Sequence, residues 1–94
     1  MRVIWSVAAE RDRDAQLGYV KAANTRAAAA LGDAIERATD LIREHPESGR
    51  PGRVAGIREL PVVRTPNILV YVRSGDRVEI ARLLHGAQNW PSEE

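Results

Sequence analysis

The 94-residue chain contains no cysteine and no phenylalanine, and its only lysine is Lys21. Without cysteine there is no disulfide, no thiolate nucleophile and no cysteine-based zinc site, which suits a reducing compartment. Without phenylalanine, and with two tyrosines and two tryptophans, the core has to be built from Ala, Val, Leu and Ile. Long hydrophobic runs are also missing. The opening MRVIWSV carries one charge and a short apolar run, too short for the apolar region of a signal peptide and far short of a bilayer span. The chain is therefore expected to be cytoplasmic, with no membrane contact. Neither sign of charge dominates: a net charge of +1 argues against strong general affinity for nucleic acid.

What is present is a folded composition, 44% hydrophobic and 29% charged, which separates the chain from disordered sequences. Its length predicts one domain over residues 1–94, with a thin stability margin that a partner would widen. The charge is unevenly placed. Residues 50–92 carry seven arginines (Arg50, Arg53, Arg58, Arg64, Arg73, Arg77 and Arg82) against Glu59, Asp76 and Glu79, and the acids gather in the first half and at Glu93 and Glu94. Such a bias suits an acidic partner or phosphates, and equally a solvated sheet face.

RVIW (2–5) reads as a short strand. Ser6 is an N-cap candidate for a helix over 8–23, whose apolar face is thin: Ala9, Leu17, Tyr19 and Val20, with Arg13 and Gln16 where a wider stripe would run. Asn24 caps a second helix over 25–45, in which Ala27, Leu31, Ala34, Ile35, Ala38, Leu41 and Ile42 recur at spacings of three and four. Pro46 ends it, and a loop fills 46–56. Strands are predicted over 57–63, 67–73 and 77–84, with RTP and SGD as hairpin connections. The order is β-αα-βββ: an α+β domain with a small antiparallel-rich sheet packed on a two-helix hairpin, its other face left to solvent or a partner.

Few residues bear reactive chemistry. His45 sits before Pro46 at a helix C-terminus, where a cation complements the dipole. His85 ends the last strand and by alternation shares a face with Arg77, Glu79, Ala81 and Leu83, where it is placed either for acid–base work or to cap the sheet edge. Two histidines forty residues apart make no metal site, GRPGR lacks the lysine of a phosphate loop, and no serine sits in a nucleophile turn. Metal and cofactor are expected to be absent. Arg82 interrupts the Val78–Ile80–Leu84 pattern, so it is either paired with an acid such as Glu59 or held out for a ligand. Trp90 is expected to fold back over the open end of the core.

RDRDAQLGYV, HPESGRPGR, IREL and NILVYVRSGDRVEIARLLHGAQNW together resemble the ParE/RelE superfamily of bacterial type II toxin–antitoxin toxins, over nearly the whole chain from RVIWS to NWP. Gln16 stands where a larger apolar residue is commoner. The resemblance implies the fold already read from the pattern, a cognate antitoxin of ParD-like or other ribbon-helix-helix type, and growth arrest when that antitoxin is lost. It also offers two modes of action. RelE-like members cut mRNA on the ribosome with basic residues on the open sheet face and in the tail; ParE-like members inhibit DNA gyrase. In this chain the basic strand positions are held by Ile68, Glu59 and Pro61, and the tail position by Gln88. A ribonuclease needs cations around its transition state and a group that moves the 2′-hydroxyl proton. The ParE-like branch is therefore favoured, a non-enzymatic inhibitor of gyrase. The alternative is an mRNA interferase acting at the ribosome through His85, Arg82 and Arg58, and a third reading is an inactive member kept for antitoxin binding. On the favoured reading His85, Gln88, Asn89, Trp90 and Arg82 meet the target. Leu17, Tyr19, Val20, Arg50, Arg53 and Arg58 meet the antitoxin.

Overall fold

A computed structural model describes residues 1–86, 88, 90 and 91. Strand β1 (Arg2–Trp5) is followed by helices α1 (Val7–Ala23) and α2 (Thr25–Glu44), and then by strands β2 (Arg50–Pro51), β3 (Arg58–Pro61), β4 (Asn67–Ser74) and β5 (Arg77–His85). The expected order holds, with one strand more: β2, two residues long, pairs with β3 inside what reads as a loop. The strand order is β1-β5-β4-β3-β2. All neighbours are antiparallel except β1 and β5, which run parallel and bring the first strand beside the last.

Both helices begin where polar side chains replace missing backbone acceptors. Ser6 Oγ accepts the Ala9 N–H at 3.0 Å, and Asn24 Oδ1 accepts the Ala27 N–H at 3.0 Å. Asn24 also donates its own N–H to Val20 O, so one extended residue closes α1 and opens α2 and the hairpin needs no loop. Most of the stripe of α2 is buried: Leu31, Ala34, Ile35, Ala38 and Ile42 share one core with Leu69, Tyr71, Val78, Ile80 and Leu83 of the sheet and with Val62 just past β3, whereas Ala27 is half-buried and Leu41 is exposed. Ala9 is the one fully buried residue of α1, and its small side chain lets that helix approach closely.

The last strand departs from simple alternation. Tyr71 lies opposite Ile80 and Val70 opposite Arg82, so Ala81 is an extra, bulged residue. Beyond it the pattern flips. Leu83, not Leu84, joins the helix-side core, while Arg82 and Leu84 turn to the second face. His85 therefore shares its face with Leu83 but not with Arg77 or Glu79, correcting the strict alternation expected for residues 77–85. The same flip removes the apparent break at Arg82 in the apolar pattern.

β1 stops at Trp5, opposite Ile80, and leaves the rest of β5 without a strand on that side. α1 takes its place. Ser6 N and Oγ donate to the carbonyls of Ile80 and Ala81, Asp12 Oδ2 accepts the Leu83 N–H at 3.0 Å, and Gln16 Nε2 donates to Leu83 O at 2.8 Å. Gln16, which thins the apolar face of α1, thus joins Ser6 and Asp12 in satisfying the backbone that a longer β1 would have paired.

Candidate functional site

Between the helix hairpin and the β3–β4 end of the sheet lies an open groove of about 1110 Å³. Tyr19 and Val20 of α1 form one wall, and Leu60, Pro61 and Val63 form the other. Ala27, Ala30, Ala34 and Ala38 of α2 form its floor, too small to fill the space. Large apolar groups here meet water: Tyr19 is 83% exposed, Val63 75% and Leu41 42%. An exposed apolar surface of this extent on so small a protein has the character of an interaction surface. The rim carries Arg37 and Arg64, neither with a side-chain acceptor among the described residues. Arg64 is held at φ 65° in the turn before β4, a left-handed conformation that arginine rarely adopts. Gln16 Oε1, buried at the groove wall, has no donor among the described residues.

The residues expected to meet an antitoxin divide. Tyr19 and Val20 line the groove, whereas Leu17 turns to the other side of α1, toward Trp5, Gly32 and Ile35. Arg50, Arg53 and Arg58 belong to the β2–β3 corner and do not line it. The groove's own arginines, Arg37 and Arg64, were not anticipated: one sits within a helix read for its apolar stripe, the other in a turn.

On the second sheet face the register aligns Arg50, Glu59, Val70 and Arg82 in one row across β2, β3, β4 and β5. Glu59 is only 1% exposed, yet its carboxylate is well met. Arg53 Nε stands 3.2 Å from it, the Arg53 N–H donates at 2.9 Å, and Arg50 Nη2 is 3.6 Å away. Arg53 Nη1 also donates to Trp90 O at 3.0 Å, which draws the C-terminal segment over this face. Arg82 pairs with Asp12, not with Glu59 as weighed above, through two hydrogen bonds of 2.7 and 3.0 Å. That bond to Asp12 pushes the pKa of Arg82 above its ordinary value.

The three residues named for a ribonuclease do not converge. Arg58 faces the helix side, in register with Tyr71, and donates to Gly49 O at 2.7 Å. Arg82 is on the opposite face and clamped to Asp12. His85, exposed at the end of β5, lines the groove. Ile68 and Pro61 lie opposite each other on the second face, as the resemblance implied for those positions. Of the residues expected to meet a target, Gln88 is exposed and folds back so that its Oε1 accepts the His85 N–H at 3.3 Å, and Trp90 is half-buried. Asn89 lies outside the described residues. No group of three or more His, Cys, Asp or Glu able to hold a metal occurs among the described residues. No described helix is long and apolar enough to cross a membrane.

Asp12, Gln16, Arg37 and Arg64 were missed as site or support residues. The only sequence signal for the first two is their spacing of four, which puts a carboxylate and an amide on one face of α1.

The helix hairpin on a mixed sheet, with its unfilled apolar groove, defines a small α+β protein built to present surface to another macromolecule. A sequence model of the family described as ParE toxin of type II toxin–antitoxin system, parDE, matches residues 3–90. Toxin Y4kP of Sinorhizobium fredii is 39% identical over 90 residues, covering 96% of this chain and 93% of that one. Toxin RelE1 of Caulobacter vibrioides is 31% identical over 87 residues, covering 92% and 94%. A solved chain of the chromosomal ParDE toxin–antitoxin system of P. aeruginosa superposes with a TM-score of 0.78 at 26% identity, over 90% of this chain and 95% of that one. The chain belongs to the ParE toxin family, within the ParE/RelE superfamily.

Proposed function

We propose that this protein arrests growth by binding DNA gyrase, without acting as an enzyme, and that a cognate antitoxin of ribbon-helix-helix type neutralises it in the bacterial cytoplasm. The observation that carries the reading is the second sheet face. Where a ribosome-dependent nuclease of this superfamily presents cations, this chain has the buried carboxylate of Glu59, flanked by Val70, Ile68 and Pro61. The nearest arginines are committed: Arg50 and Arg53 to Glu59, and Arg82 to Asp12. A phosphorane-like transition state would meet little unspent positive charge there. The C-terminal segment from His85 to Trp90 then serves as a recognition surface, in keeping with a protein that acts by binding.

The antitoxin is assigned to the groove. An amphipathic segment laid along Tyr19, Val20, Leu41 and Val63 buries apolar surface that the toxin leaves wet, and carboxylates on that segment meet Arg37 and Arg64. The match to a chain of a ParDE toxin–antitoxin system supports such a partner.

Expression of the toxin without antitoxin, followed by pulse-labelling of DNA and protein synthesis, tests the target. DNA synthesis is expected to fall first, and purified toxin is expected to inhibit supercoiling by gyrase. If protein synthesis stops first and mRNA is cut on ribosomes, the endonuclease reading replaces this one. If growth continues while antitoxin binding persists, the chain is an inactive member.

A further inference from the structure

Arg53 has an arrangement that neither groove binding nor core packing explains. Its guanidinium uses two edges at once: Nε faces Glu59 Oε2 at 3.2 Å, and Nη1 donates to the carbonyl of Trp90 at 3.0 Å, 37 residues away in sequence. The carboxylate beneath it is fixed from several sides. Glu59 is on β3, between β2 and β4, Arg53 N–H and Arg50 hold its oxygens, and the loop backbone is pressed against it at Gly52. A Cβ on Gly52 would stand 3.1 Å from Glu59 Cγ and Oε2 and 2.8 Å from Ile57 O, so the loop reaches the carboxylate only with glycine there. At its other end, the C-terminal segment is fixed where Gly86 N–H donates to Pro66 O and Gln88 turns back on His85. The Arg53 fork ties the backbone of Trp90 to the buried carboxylate of the sheet.

We infer that Arg53 is a positioning residue for target recognition: oriented by the buried carboxylate of Glu59, it holds Trp90 in the position that binds the target. The role depends on the planar fork. Lysine at this position keeps a cation beside Glu59 but, as a single point donor, does not span carboxylate and carbonyl together. Arg53 does not line the groove, so antitoxin affinity is separable from this function. The inference rests on the proposed reading that the C-terminal segment meets the target.

The test compares Arg53→Lys and Arg53→Ala with Gln88→Ala and Trp90→Ala. It measures gyrase supercoiling inhibition, antitoxin affinity and backbone hydrogen exchange in the full chain. Arg53→Lys is expected to fold, to bind antitoxin within about twofold of the parent, and to lose about tenfold or more in inhibition. Exchange at Gln88 and Trp90 is expected to quicken, with α2 and β4 unchanged. The exchange pattern separates positioning from general destabilisation, which would quicken exchange in the core as well. If the two segment variants lose inhibition while both Arg53 variants keep it, the positioning role is overturned and the target surface stands. If the segment variants inhibit as the parent does, the target surface itself is elsewhere and both readings fall. Unchanged exchange at Trp90 in Arg53→Ala also overturns the inference, whatever the inhibition shows.

Discussion

Tyr71 shows how much one side chain carries in a core without phenylalanine. Its ring is fully buried, and its hydroxyl donates to Pro46 O at 2.8 Å and accepts the Gly49 N–H at 2.8 Å. It thereby ties the end of α2 and the start of β2 to the centre of the sheet. Tyr71→Phe leaves the Gly49 N–H without its acceptor, and a loss of about 1–3 kcal/mol is expected in urea unfolding. The same environment sets a pH dependence. Burial pushes the Tyr71 pKa above its ordinary value of 10.0, against the opposing pull of the Gly49 hydrogen bond and Arg58. Above about pH 10 the unfolded chain releases a proton that the folded chain still holds, so stability falls as pH rises from there and is insensitive to this group below it. Urea midpoints measured from pH 8 to pH 11 should show an alkaline decline that is smaller in Tyr71→Phe. Gly49 is bound into the same arrangement: a Cβ there would lie 2.7 Å from the Tyr71 hydroxyl.

Among the elements, α1 is the one whose logic is least like its appearance. As an amphipathic helix it is poor, with Ala9 its only buried residue, but as a lateral partner for β5 it is well supplied. Asp12 serves three donors, two on Arg82 and one on the backbone of Leu83. Asp12→Ala is therefore expected to cost about 1.5–3 kcal/mol in urea unfolding, and more than Arg82→Ala, which leaves Asp12 still bonded to Leu83 N–H. The caps at Ser6 and Asn24 and the stripe of α2 were legible because each depends on residues within a turn or two of one another. The bulge at Ala81 was not. RVEIARLL permits either Leu83 or Leu84 to face the helices, and only the pairing with β4 and the hold of Asp12 on Leu83 select between them. β2 was hidden for a related reason: two residues, one of them proline, carry no alternation. The work of Asp12 and Gln16 depends on contacts 67 to 71 residues away, beyond the reach of any local pattern.

For the whole molecule, the helix hairpin and sheet enclose a core on one side of a groove that they do not themselves fill. Leu41 is 42% exposed there, so Leu41→Glu is expected to leave folding intact and to weaken antitoxin binding tenfold or more, about 1.4 kcal/mol, by calorimetric titration. Cells expressing that variant should stay arrested at antitoxin levels that rescue the parent. The groove was half visible in the sequence. The thin stripe on α1 pointed to Tyr19 and Val20, but Leu41 of α2 read as core, and the charged rim could not be told from other surface arginines. The spatial order of the strands has a further consequence, in the time taken to make the chain. β5 is synthesised after every other element yet occupies a place between β1 and β4, and α1 closes against it. Until Arg77–His85 has left the ribosome, β1 has no neighbour and the longest edge of β4 is bare. The sheet and the surfaces it carries are thus completed only when the last of these strands joins, in one step instead of strand by strand.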